Sequence, residues 1–365
     1  MRAGLLDCDT HFSDHLRDLW AGRDVPLPPV MVEVAGHPRL ALDGQLFPKP
    51  EGSGCGNPRG LGHLIGPGGD DDREAFMAEQ GIAAAVLQPG FVGLSAAMVA
   101  DTGARLALLA RYNYLAAQAC AASRLDLRWA ILLSAEDPQW SVAELGRHSG
   151  DPRVVGVVLR PTARTSAVRL SDPALTPVLQ QASSRELTLF LHGGTGCHQW
   201  SPLADAYADY VLTHAFGHMG EHMAALADLL TRPDGLPGGL SVVMLESGVG
   251  WIPAVLARLD GHVRRLADGH VSPAQTFRRH FAVVPDPGES HARWACEQLG
   301  AGSVLFGSDY PHWDTVRSRD WLGEFGGLAP PETLADTTRA RVPRLAREPG
   351  SHRWRPPSEA DGAKE

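Results

Sequence analysis

The sequence predicts an α/β fold, a (β/α)8 TIM barrel carrying a loop and hairpin insertion after its first strand. Three observations lead there. Eight short apolar runs alternate with longer amphipathic ones. The short runs show little in/out alternation, as expected of a parallel sheet covered on both faces. Polar residues gather where these runs end. In order, the strand candidates are 3–9 (AGLLDCD), 82–88 (IAAAVLQ), 127–133 (LRWAILL), 154–160 (VVGVVLR), 187–192 (LTLFLH), 240–246 (LSVVMLE), 281–284 (FAVV) and 303–308 (SVLFGS). FAVV is the shortest and carries the weakest signal. The helix candidates between and after them are 71–80, 95–123, 138–149, 173–184, 202–230, 251–269, 288–299 and 330–347. Eight strand–helix pairs in this order make one closed barrel. The barrel domain is expected over 1–347. Residues 25–69, rich in Pro and Gly and containing MVEV and RLALDG, form the insertion, on the face where barrels keep their active sites. Residues 348–365 have few apolar side chains and read as a flexible tail.

Composition narrows the function. The 365 residues include 33 Lys+Arg against 42 Asp+Glu, a formal charge of −9, with 44% hydrophobic and 21% charged residues. Such a chain can bury a large core. Its acidic balance argues against a nucleic-acid or membrane-surface partner. No apolar stretch is long enough for a transmembrane span, and the acidic start excludes an ordinary signal peptide. The 5 cysteines form no CxxC or paired framework, so a reduced, cytoplasmic protein is expected.

Barrel closure brings the C-terminal ends of all strands to one rim. Strand one ends in Asp7-Cys8-Asp9-Thr10-His11, strand four in Arg160, strand five in His192, strand six in Glu246, and strand eight in Ser308-Asp309-Tyr310-Pro311-His312. His11, His192 and Asp309 therefore converge. Imidazole together with carboxylate suits zinc or manganese.

Several segments resemble the amidohydrolase-related family that includes aminocarboxymuconate-semialdehyde, resorcylate and carboxyvanillate decarboxylases. They are LLDCDTHFSDHLRDLW, DREAFMAEQGI, GVVLRP, LFLHGGTG, HAFGHMGEHM, VVMLESGVGWIPAVLARLD and FGSDYPHWD. The resemblance covers roughly residues 5–325. It implies a TIM barrel, one divalent metal (Zn or Mn), no organic cofactor, and either decarboxylation or hydrolysis. It makes His11, His192 and Asp309 metal ligands. Members often have a second His two residues before the first, or a Glu three residues after it. Asp9 and Asp14 stand there, and either carboxylate can bind the metal. Many members also have a His at the end of strand six, where this chain has Glu246. A homodimer is implied by resemblance alone.

His214, His218 and Glu221 share one helix face at i, i+4 and i+7. His218 is the candidate acid/base, with Glu221 orienting its other ring nitrogen, and His214 a secondary candidate. Arg160 has the planar fork to grip a substrate carboxylate, or else pairs with Glu246 or another rim acid. Glu246 and Trp251 are read as substrate contacts, or as packing of the strand-to-helix turn.

The leading expectation is a metal-dependent, non-oxidative decarboxylase of a small aromatic or unsaturated carboxylic acid, with Asp309 or His218 delivering the proton. The rival is a hydrolase of an amide, lactone or C–C bond that activates water at the metal. A third reading is a metal-free barrel that binds a ligand.

Overall fold

The computed structural model describes residues 4–15, 19–20, 25–49, 60–66, 68–165, 167–194, 210–266 and 271–348. The expected tail, apart from residue 348, lies outside these residues. So do positions 195–209, which take in the start of the predicted 202–230 helix.

The first strand, β1 (Leu5–His11), runs two residues beyond the predicted end, so Asp9 and His11 sit within it. The insertion forms a three-stranded antiparallel sheet of β2 (Val30–Val34), β3 (His37–Leu42) and β4 (Gln45–Phe47), one strand more than a hairpin. Then come α1 (Asp70–Gln80) and β5 (Ile82–Gln88). The long helix predicted at 95–123 is two helices, α2 (Phe91–Ala96) and α3 (Thr102–Ala122). Asp101 causes the break: its carboxylate accepts from Ala104 N at 2.7 Å and caps α3. The chain continues through β6 (Leu127–Leu132), α4 (Pro138–His148), β7 (Val154–Leu159), α5 (Thr176–Ser184), β8 (Thr188–His192), α6 (Tyr210–Leu230), β9 (Val242–Leu245), α7 (Ile252–Leu266), α8 (Pro273–His280), β10 (Phe281–Val283), α9 (Ala292–Leu299), α10 (Ser318–Phe325) and α11 (Pro331–Arg341). Neither α8 nor α10 is among the predicted helices, and α11 stops short of the predicted 347.

Seven strands form one parallel sheet in the order β1-β5-β6-β7-β8-β9-β10. β6 and β7 are buried at every position, which explains their unalternated sequences. The eighth position is the segment 304–310, which closes the barrel through a few bonds to each side. Leu305 N donates to Val283 O at 2.9 Å on one side, and Cys8 N to Phe306 O at 2.9 Å on the other. Asp7 adds to the seam: its buried carboxylate accepts from Ser308 N at 3.0 Å and Ser308 Oγ at 2.6 Å. Gly307 is required there, because a Cβ would lie 2.7 Å from Asp9 Cβ. Leucine, valine, isoleucine and Trp129 fill the core. Among the described residues, no helix is long and apolar enough to cross a membrane.

Candidate metal centre and active site

His11 and His192 end β1 and β8 on the same rim, both buried. Each ring is oriented by a carbonyl. His11 Nδ1 donates to Pro89 O at 2.8 Å and His192 Nδ1 to Gly193 O at 2.6 Å. A carbonyl only accepts, so both Nδ1 atoms carry protons and both Nε2 atoms face inward. The two Nε2 atoms are 3.3 Å apart. Glu246 Oε1 lies 3.0 Å from His11 Nε2 and 3.1 Å from His192 Nε2. Asp309 Oδ1 is 3.0 Å from His11 Nε2, and Asp9 Oδ1 is 3.6 and 3.7 Å from the two rings.

These donors fit a divalent cation. Ligands about 2.1 Å from one ion stand roughly 3.0 Å apart at right angles and roughly 3.4 Å apart at the tetrahedral angle. The separations here, 3.0 to 3.7 Å, lie close to that range. Asp9 Oδ1 is buried without a hydrogen-bond partner, a cost that cation binding removes.

Electrostatics mark the same place. Burial pushes Asp9 well above the usual carboxylate range. Burial, reinforced by Glu246 and Asp314, does the same to Asp309. Burial also acts to raise Glu246, but His192 and His11 overcome it and hold Glu246 well below its ordinary value. Glu246 (φ 48°) and Asp309 (φ 54°) both have left-handed backbones. For residues other than glycine this costs on the order of 1 kcal/mol each, and such strain clusters at functional sites.

The helix residues take different parts. His218 is buried, and its Nδ1 donates to Glu246 O at 2.9 Å. Burial and the neighbouring His214 hold its imidazole well below the ordinary value, so it is neutral. Glu221 was expected to orient His218. Its carboxylate instead takes Arg160 Nη2, at 3.1 and 3.2 Å. Arg160 also reaches Leu94 O and Gly194 O, and it does not line the pocket. Of the two readings of Arg160 the structure has the internal ion pair, with Glu221 as the acid rather than Glu246.

Two further expectations are corrected. Asp14 stands apart from the metal cluster. Its carboxylate accepts from Val92 N at 3.1 Å and Gly93 N at 2.8 Å, satisfying donors at the start of α2. Among the described residues Trp251 does not line the pocket described below; its Nε1 donates to Ser247 O at 2.9 Å. Glu246, read as a substrate contact, is instead central to the donor cluster.

Sequence reasoning passed over His312 and Asp314. His312 Nδ1 is 2.8 Å from Asp309 Oδ1, and its ring stacks on His11 with centroids 4.0 Å apart. Its spacing of three from Asp309 within FGSDYPHWD was the available signal.

A narrow pocket lies above the cluster. Phe91, Tyr210 and Trp313 give it aromatic walls, with His192, His214, His218, Glu246, His312 and Asp314 toward the donors. No Arg or Lys lines it among the described residues. The insertion supports this wall, since Phe47 of β4 packs on Phe91 with centroids 4.5 Å apart.

A parallel α/β barrel with imidazoles and carboxylates converging at the C-terminal ends of its strands defines a class of barrel enzymes that work at one rim. The chain belongs to the amidohydrolase family, whose sequence profile matches residues 6–344, and it is an enzyme of the amidohydrolase superfamily. No curated protein matches it significantly. Solved structures are similar in fold. An amidohydrolase from Mycobacterium avium subsp. paratuberculosis K-10 superposes with a TM-score of 0.68 at 16% identity, covering 96% of this chain and 100% of that one. The 5-carboxyvanillate decarboxylase LigW from Sphingomonas paucimobilis gives 0.61 at 22% identity, covering 94% and 97%. A dihydroxybenzoic acid decarboxylase from Polaromonas sp. JS666, bound to manganese and the inhibitor 2-nitroresorcinol, gives 0.55 at 17% identity, covering 75% and 83%.

Proposed function

We propose that the protein is a metal-dependent, non-oxidative decarboxylase of a small aromatic acid bearing an oxygen substituent beside the carboxylate. The observation that carries this reading is the pocket. It has flat aromatic walls and opens on a cluster of inward-facing nitrogen and oxygen donors. The named decarboxylases of similar fold support it. His11, His192, Glu246 and Asp9 would hold a divalent ion, with Asp309 at its edge. The Polaromonas enzyme makes manganese the favoured metal. Such an ion supplies the positive charge that binds the carboxylate and the neighbouring oxygen and draws electrons from the ring.

The chain's own groups do the rest. Phe91 and Trp313 stack on the ring and exclude water. Asp309 holds a proton on a buried carboxyl and passes it to the ring carbon bearing the carboxylate. The carbon–carboxylate bond then breaks, carbon dioxide leaves, and its electron pair restores the ring. Asp309 is left as an anion and is reprotonated from solvent through Asp314 at the pocket mouth. Three described cysteines, Cys8, Cys120 and Cys296, are buried and unpaired, which suits a reduced cytoplasmic setting.

One observation favours the rival reading, hydrolysis of an amide or lactone. Arg160 is taken by Glu221 and is not available to grip a carboxylate. Carbon dioxide release from a panel of ortho-hydroxybenzoates, assayed beside amide and lactone hydrolysis, decides between them. Release from at least one such acid supports the decarboxylase. Hydrolysis without any release defeats it.

A further inference from the structure

We propose that Arg73 of α1 is a positioning residue that sets the spacing between the ligand-bearing ends of β1 and of the closing segment 304–310. The proposal rests on the metal-dependent reading above. Among the described residues, Arg73 is part of neither the pocket wall nor the donor cluster, so it acts through the residues it holds.

Arg73 lies in the first turn of α1 and is buried, 3% exposed. Its planar fork meets the end of β1 twice. Nη1 donates to Thr10 Oγ1 at 2.5 Å and Nη2 to His11 O at 2.7 Å. Thr10 Oγ1 donates in turn to Tyr310 O at 2.9 Å. The guanidinium carbon also stands 5.0 Å from the centroid of the Tyr310 ring, within reach of a cation–π contact. Phe76 of the same helix stacks on that ring with centroids 4.3 Å apart. Tyr310 follows Asp309, and His11 ends β1. One side chain thus grips the ends of two segments that carry donors.

The backbone joins these segments by few bonds here. Asp309 N donates to Asp9 O at 2.8 Å and His11 N to Tyr310 O at 2.7 Å, and Thr10 meets Tyr310 only in an isolated bridge. Yet His11 Nε2 and Asp309 Oδ1 stand 3.0 Å apart, and sites of this kind tolerate misplacement of only about 0.5 Å. Arg73 forms no ion pair among the described residues; its acceptors are a hydroxyl and a carbonyl. Burying a guanidinium without a carboxylate beside it is costly. Leucine or methionine would fill the space without that cost, but neither can hold two acceptors on β1 and the face of Tyr310 together. Lysine keeps the charge and loses the planar fork.

The test uses the full chain, stripped with a chelator and titrated with Mn²⁺. Electron paramagnetic resonance reads the free ion, and circular dichroism reads folding. Folded Arg73→Lys should bind manganese about 10–100-fold more weakly than the native chain, the usual effect of losing a group that orients ligands. A merely structural role would lower the melting temperature and leave the manganese affinity of the folded chain unchanged, and that outcome overturns the proposal. Thr10→Val removes the hydroxyl between Arg73 and Tyr310 O. It should also weaken binding, and it decides the matter if Arg73→Lys does not fold: native affinity in Thr10→Val then overturns the proposal. Arg317→Ala, at an exposed arginine that pairs with Glu79 and lies over Phe76, should keep native affinity, and an equal loss there counts against a specific role for Arg73. A native chain that binds manganese beside an Arg73→Lys variant of equal affinity removes this proposal alone. A native chain that binds none removes the metal-dependent reading as well.

Discussion

His192 faces the cluster with Nε2 while Gly193 O fixes its other nitrogen. His192→Ala is expected to lower metal affinity more than about a hundredfold, since even the groups behind metal ligands are worth roughly 10–100-fold. Elemental analysis after dialysis measures this, and a variant retaining full metal would remove His192 from the ligand set. Asp309 has a different task. Asp309→Asn keeps the shape but cannot donate an acidic proton. Its turnover number should fall about 10²–10⁴-fold, the usual worth of a positioned acid or base, as read by carbon dioxide release. Of these residues, His11, His192 and Asp309 were legible in the sequence because each is the polar terminus of an apolar run. The role of Glu246 was not legible, because a carboxylate at a strand end fits a ligand, an ion pair or a turn equally well. Only the distances to two imidazoles separate these.

At the scale of elements, helix ends decide where carboxylates go. Asp14 is spaced from His11 like a ligand, yet it serves the N–H groups that begin α2. Asp14→Asn should leave metal content unchanged while altering stability with pH. Burial raises the Asp14 carboxyl to about 6 from an ordinary 3.8. The folded state therefore favours the protonated form. That contribution is complete below the unfolded value and is lost as pH rises through about 6. The Asn variant does not titrate there. Its stability relative to the native chain should therefore rise between pH 4 and 7, by up to about 3 kcal/mol. Denaturant unfolding at both pH values reads the difference, and an unchanged difference would contradict the buried titration. The same competition split the predicted 95–123 helix. Its apolar periodicity gave no sign of a break, and Asp101 reads as a cap only once the turn around it is seen.

At the scale of the whole molecule, barrel closure is modest in bonds. The last position is a segment held to β10 and β1 by a few backbone bonds and by Asp7. Metal ligands on β1, β8, the turn after β9 and this segment would tie the closure together. Chelation should therefore lower the melting temperature. Manganese at about a hundred times its dissociation constant adds roughly 2.7 kcal/mol, a shift of several degrees for a chain of this size. Calorimetry with and without chelator checks it, and an unchanged melting temperature would separate the metal from the fold.

The sequence by itself determined the barrel, its rim and three of the converging groups. Alternation of buried runs with amphipathic ones is a local property, and closure of a parallel sheet leaves one end for the chemistry. Only the tertiary structure decided how the charged groups pair: Arg160 with Glu221, Asp14 with a helix start, Glu246 with two imidazoles. Those choices are made between residues tens to hundreds of positions apart, where distances of about 3 Å select among partners of equal chemical suitability, and no pattern along the chain encodes such a distance.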